Sequence, residues 1–142
     1  TNLIKQRMFV AIDQVNVVPN SDAKKYLLFL PNGENHELSL LFASYLLRAN
    51  GQHVIYLGTS TPLDDLNKIH KIHNPDFVFC ALTNSNAAMP VQVYLNTLSR
   101  SWPNTQIIVT GSQVVKRRDL KIPENCKVMS DPSGFLDFIV NN

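Results

Sequence analysis

Five alternations of a short, unbroken apolar run with helically spaced apolar positions predict an α/β domain: a doubly wound, five-stranded parallel sheet of flavodoxin-like order. Two further observations support this class. The apolar runs show no polar alternation, so each strand is buried on both faces, as in a parallel sheet with helices on either side and right-handed crossovers. Proline, glycine, asparagine or aspartate separates the run from the periodic stretch at most junctions, which sets helix starts and stops.

The chain opens on "TNLIKQRMFVAIDQV", a helical stretch, followed by "VVPNSDAKK", whose Pro19, Asn20, Ser21 and Asp22 mark a connection. A boundary is placed there, with residues 1–18 a helix and linker and residues 19–142 the α/β domain. "YLLFL", Tyr26 to Leu30, is the first strand. Leu38, Leu41, Phe42, Tyr45 and Leu46 then line one face of a helix that Gly51 stops. "HVIYLG" is the second strand, with Thr61 and Pro62 as cap and first residue of a helix through Leu63, Leu66 and Ile69 that ends before Asn74-Pro75. "DFVFCAL" is the third strand, and Pro90 opens a helix carrying Val91, Tyr94, Leu95 and Leu98. "QIIVTG" is the fourth strand. A weaker fifth, "KVMS", leads into the helix "DPSGFLDFIV".

With 142 residues and 44% hydrophobic content, the chain can bury one core without staples. A net charge of +2, from thirteen basic and eleven acidic residues, is too small to imply a nucleic-acid surface on this piece. Two cysteines, Cys80 and Cys126, give no disulfide framework and no C-x-x-C metal motif, which suits a reducing, cytoplasmic setting. No apolar run approaches the ~18 residues a membrane helix needs, and no signal peptide is visible.

Ligands of doubly wound sheets sit over the carboxyl ends of the strands, near the point where strand order reverses, so the loops after Leu30, Leu82 and Thr110 matter most. The first holds "PNGENHE", Pro31 to Glu37. One reading makes Asn35 or Glu34 a helix cap and His36 a surface residue. The other takes Glu34 and His36 as a pair, the carboxylate accepting the proton of one ring nitrogen while the other nitrogen faces a metal. Competing uses of the fold fit less well. A phosphate-accepting receiver needs clustered acids after the first strand and an aspartate ending the third, where this chain has Asn32 and Thr83 or Asn84. A flavin phosphate would meet an acidic loop, and G-x-G-x-x-G is absent.

"GENHELSLLFASYLLRANGQHVIYLG", residues 33–58, resembles the cobalamin-binding domain, marked by D-x-H-x-x-G after the first strand, S-x-L after the third and G-G after the fourth. The likeness is to the version found in MerR-type transcriptional regulators, including light-dependent repressors of carotenoid synthesis, in which the first motif often begins with Glu. "NLIKQRMFVAIDQV" is similar to the last helix of the four-helix bundle preceding that domain. The resemblance implies that His36 binds cobalt in place of the vitamin's own dimethylbenzimidazole, and that Glu34 orients it. Ser39 stands where the motif has glycine, beside the path of the displaced nucleotide tail. S-x-L falls on Ala81 and Thr83 or on Thr83 and Ser85, with Thr83 the hydroxyl nearest the tail. G-G has become Gly111-Ser112, which implies a tighter tail pocket.

The implied function is a sensor without catalytic turnover: cobalamin, as adenosylcobalamin or another upper-ligand form, controls self-association, and an N-terminal winged helix-turn-helix region outside this chain reads DNA. Two other classes stay open. A cobalamin-carrying subunit of a methyltransferase or mutase uses the same loop, and a vitamin-free assembly module would account for Ser39 and Ser112. The remaining features have plain expectations. His70 and His73 are read as helix-surface histidines, His53 as capping a strand edge, "VVKRRDL" as a solvated helix face and Cys80 as a small core residue. Trp102 carries no signal.

Overall fold

The computed structural model describes residues 2–84 and 89–142. Its elements are α1 (Asn2–Asp13), β1 (Lys25–Pro31), α2 (Leu38–Ala49), β2 (His53–Thr61), α3 (Leu63–His73), β3 (Phe77–Ala81), α4 (Val91–Ser101), β4 (Gln106–Thr110), α5 (Ser112–Val115), β5 (Cys126–Val128) and α6 (Pro132–Asn141). All five strands are parallel in the order β2-β1-β3-β4-β5. This is the predicted doubly wound, flavodoxin-like sheet.

The unbroken apolar runs are explained by two cores, one on each face. Tyr26, Leu28 and Leu30 of β1 and Phe77, Phe79 and Ala81 of β3 point to α2 and α6, where Leu40, Leu47, Phe135 and Phe138 meet them. The alternate residues, Leu27, Phe29, Val78 and Cys80, face Leu66 of α3 and Leu95 and Leu98 of α4. Every residue from Tyr26 to Leu30 is fully buried, which is why this stretch of β1 carries only large apolar and aromatic side chains.

α1 lies against α2 and buries none of its residues, while Leu3, Ile4, Phe9 and Val10 remain exposed. Among the described residues no helix is long and apolar enough to cross a membrane.

Several local expectations are corrected. Thr61 is the last residue of β2, paired with Pro31, and Pro62 rather than Thr61 is the cap of α3. Between β4 and β5 only Ser112–Val115 is helical, so Lys116, Arg117 and Arg118 lie on an irregular, exposed segment, where Arg117 pairs with Asp119 at 2.7 Å. His70 is not a free surface histidine. Its ring stacks on buried Trp102 with centroids 4.7 Å apart, and its Nε2 lies 2.8 Å from Thr105 Oγ1. Trp102 in turn donates from Nε1 to Asn67 Oδ1, locking α3 to the end of α4.

Candidate functional site

Beyond Pro31 the chain must turn sharply, and Gly33 supplies the positive φ of 90° that does so. Glu34 then donates its amide to Pro31 O at 2.9 Å, and its side chain folds back under the loop until the residue is 3% exposed. Burying a carboxylate is costly unless donors replace the lost water. The end of β3 provides them. Thr83 donates its amide to Oε1 at 2.7 Å and its hydroxyl to Oε2 at 2.9 Å, and the Asn84 amide also donates to Oε1. Asn84 further donates from Nδ2 to Gly33 O at 3.3 Å. Charge-assisted bonds of this kind are the stronger class, so the carboxylate fastens the loop after β1 to the loop after β3.

That arrangement alters the expected pair. Glu34 neither caps α2 nor, among the described residues, hydrogen-bonds His36. Its oxygens are taken by the β3 loop, and His36 stands exposed on the other side of the turn with no side-chain partner among the described residues. The cap of α2 is Glu37, which sequence reasoning missed. It accepts from the Tyr56 hydroxyl at 2.7 Å and pairs with Lys5 of α1 at 3.1 Å, so it joins α1, α2 and β2 at one point. An acid at a helix start is also favoured by the helix dipole. Burial, the bond to Glu37 and its charge hold the Tyr56 phenol well above the usual tyrosine range.

Several clefts open at this edge, among them an apolar one of about 190 Å³ between Pro31, Pro62, Leu82 and Tyr94; two others border the His36 loop and α2. Gly33, Glu34, Asn35, His36, Thr83 and Asn84 line a polar one of about 360 Å³. A second, of about 340 Å³, runs between α2 and α6, with Ser39, Phe42, Thr110, Met129 and Phe135 in its walls. Ser39 is exposed at its rim. Ser112 is exposed and lines neither of these two clefts. The chain turns away there because Gly111, at φ 104°, packs on the Leu82 backbone: an added Cβ would sit 2.8 Å from Leu82 N. The close approach that this glycine permits is therefore between two strands' ends. Ser85 lies outside the described residues.

Chemically, the site presents one imidazole without a partner among the described residues, beside a polar cleft and with apolar clefts nearby. Among the described residues no group of three or more His, Cys, Asp or Glu lies close enough to hold a metal ion. His36 can supply a single ligand to a metal that arrives with its other positions already filled.

No protein-family model matches the chain, and no curated protein sequence matches it. Solved structures do share its fold. A cobalamin-binding protein from Desulfitobacterium hafniense DCB-2 aligns over 67% of this chain and 47% of its own, with 19% identity and a TM-score of 0.56. The Methanosarcina barkeri monomethylamine corrinoid protein aligns over 99% of this chain and 65% of its own, with 10% identity and a TM-score of 0.72. The methanol:cobalamin methyltransferase complex MtaBC of Methanosarcina barkeri aligns over 84% of this chain and 47% of the matched one, with 14% identity and a TM-score of 0.64. The chain thus spans from 47% to 65% of the length of these structures, and what it shares with them is the fold.

Proposed function

We propose that this chain binds a cobalamin-type corrinoid, which His36 would hold through cobalt, with the displaced nucleotide in the cleft between α2 and α6. The observation that carries the reading is His36 itself: an exposed imidazole without a partner among the described residues, at the carboxyl edge of the sheet, in a loop otherwise pinned by hydrogen bonds. Bound cobalamin would supply a cobalt centre that arrives with ligands of its own, which suits a site offering one nitrogen. The apolar cleft fits the rest. A cavity of about 150 Å³ accommodates benzene, so 340 Å³ has room for a fused two-ring base.

The chain's own residues would divide the work. His36 ligates, Glu34 holds the loop against β3 through Thr83 and Asn84, and Ser39 borders the nucleotide path without filling it. We take the biological role to be sensing in a MerR-type regulator, cobalamin biasing association through the helix that precedes the sheet. A ligand can do that only by binding one assembly better than another. The exposed Leu3 and Val10, seven residues apart on one side of α1, give that helix an apolar strip on which to associate. A cobalamin-carrying methyltransferase subunit is the second reading. It is favoured by the monomethylamine corrinoid protein, whose likeness extends over 99% of this chain, α1 included.

The deciding experiment incubates the chain with hydroxocobalamin or adenosylcobalamin in the dark, removes free ligand and records the visible spectrum. A retained corrin with a histidine-ligated spectrum, lost in His36→Ala, supports binding. A spectrum unchanged by that substitution excludes the ligand role, and no retained corrin leaves the vitamin-free assembly module. Sedimentation with and without cobalamin then tests sensing, and methyl transfer by the loaded protein tests the carrier reading.

A further inference from the structure

The loop that carries His36 is held from a second side, by β2, through a residue in an unusual conformation. Between Leu28 and Phe29 the partners on β2 go from Tyr56 to Gly58, and between Phe29 and Pro31 from Gly58 to Thr61. Each interval gives β2 one residue more than β1. Bulges of this kind bend a strand and re-aim its side chains. Here they carry β2 around the end of β1 and bring Ser60 to the turn that precedes His36.

Ser60 adopts φ 52°, one of only two left-handed non-glycine residues among those described. Such a conformation is uncommon for a serine and persists where its surroundings impose it. Three bonds account for it, each to a different one of three successive loop residues. The Ser60 hydroxyl accepts from the Gly33 amide at 3.1 Å and donates to Asn32 Oδ1 at 3.1 Å, and the Ser60 amide donates to Glu34 O at 3.2 Å.

With Glu34 tied to β3 and Glu37 tied to Tyr56 of β2, the loop is anchored at residues 32, 33, 34 and 37. Asn35 and His36 form a two-residue span between fixed points.

We infer that Ser60 is a positioning residue for His36: its left-handed bulge on the edge strand holds the loop so that the imidazole is presented without paying for loop ordering when a metal arrives. This rests on the reading of His36 as the cobalt ligand. Ser60 touches neither metal nor macrocycle in this account, and acts through Gly33 and Glu34.

The test uses the full chain loaded with hydroxocobalamin and three variants. Ser60→Gly keeps the backbone conformation and the amide bond to Glu34 O but loses both hydroxyl bonds. Ser60→Asn tolerates the left-handed region and restores an acceptor. Thr59→Ala, at an exposed neighbour, is the control. The readout is the pH midpoint at which the visible spectrum changes from histidine-ligated to histidine-free, with circular dichroism as the check on folding. Protons compete with cobalt for the same nitrogen, so weaker ligation moves the midpoint upward. Loss of two neutral hydrogen bonds corresponds to about tenfold in the ligation equilibrium, hence a rise of about one pH unit in Ser60→Gly, with partial recovery in Ser60→Asn and none needed in Thr59→Ala. Faster exchange of the Gly33 amide in the unloaded Ser60→Gly chain is the matching result without ligand.

A folded Ser60→Gly whose midpoint equals that of the wild type overturns the inference and leaves the binding reading intact. Failure of the wild-type chain to retain corrin overturns both.

Discussion

Replacing Glu34 by alanine tests whether its carboxylate fastens the edge of the sheet together. The side chain is 3% exposed and collects the Thr83 amide, the Thr83 hydroxyl and the Asn84 amide. Removing it strands two backbone amides and one hydroxyl, and hydrogen bonds to charged groups contribute about 1.5–3 kcal/mol each. Two effects lower the sum. Thr83 and Asn84 are half-buried, so water reaches part of what is left, and the cost of burying the carboxylate is recovered. A net loss of about 3 kcal/mol follows from these opposing terms. Unfolding entropy of about 2.1 cal/mol/K per residue gives about 0.3 kcal/mol/K for a chain of this length, so Tm should fall by about 10 °C. Urea denaturation and calorimetry measure both quantities, and hydrogen exchange at Thr83 and Asn84 should quicken more than elsewhere. A variant within 1 kcal/mol of wild type, with those two amides still protected, would refute the assignment.

Three further outcomes are expected. Gly111→Ala should destabilise more severely than Glu34→Ala, by ~4 kcal/mol or failure to fold, because a Cβ at φ 104° meets the rigid Leu82 backbone; soluble expression and urea midpoints check this. His36→Ala should change stability by under about 0.5 kcal/mol, since an exposed residue without a partner among those described contributes little to folding, and the same urea titration reads it. Burial against Trp102 holds the His70 imidazole below its ordinary value of 6.5, so the unfolded chain takes up its proton first and stability should fall as pH drops through that value. Unfolding midpoints between pH 8 and 5 should therefore decline, and His70→Phe, which keeps a ring on Trp102, should flatten that part of the curve.

The sheet was legible because its residues obey one constraint each. A strand buried on both faces reads as an unbroken apolar run, and Tyr26 to Leu30 or Phe77 to Ala81 satisfy that without reference to anything distant. The tail of β2 was not legible for the same reason. Thr59, Ser60 and Thr61 are polar and follow a glycine, so they read as a loop. They are strand because β1 is there to pair with them. A left-handed residue is signalled by glycine or asparagine, and Ser60 sends no such signal.

At the site, residue type was informative and partnership was not. Glu34 and His36 stand two apart and invite pairing, but a carboxylate goes to whichever donors are best placed. The amides of Thr83 and Asn84 reach it from 49 and 50 positions away. Those donors become available only when β3 lies beside β1 in register, with Phe29 opposite Cys80. The same logic separates Gly111 from Ser112: the motif reads them as a pair lining a pocket, while packing on Leu82 uses the glycine and turns the serine to solvent.

The division of hydrogen bonds around the loop is itself an argument about function. A loop that served only to connect β1 to α2 would be stabilised by such anchors but would not need them on two neighbouring strands, since a short connection is already constrained by its ends. Here Ser60, Thr83 and Asn84 hold Asn32, Gly33 and Glu34 from both sides, and Tyr56 and Lys5 hold Glu37. Two side chains in the middle of that framework, Asn35 and His36, are left without a partner among the described residues, and the second carries a metal-binding nitrogen. Order supplied to a loop whose central imidazole does not use it for folding is order available to a ligand. The fold can therefore lose His36 at small cost, whereas Glu34 cannot be removed without loosening the surface on which His36 stands.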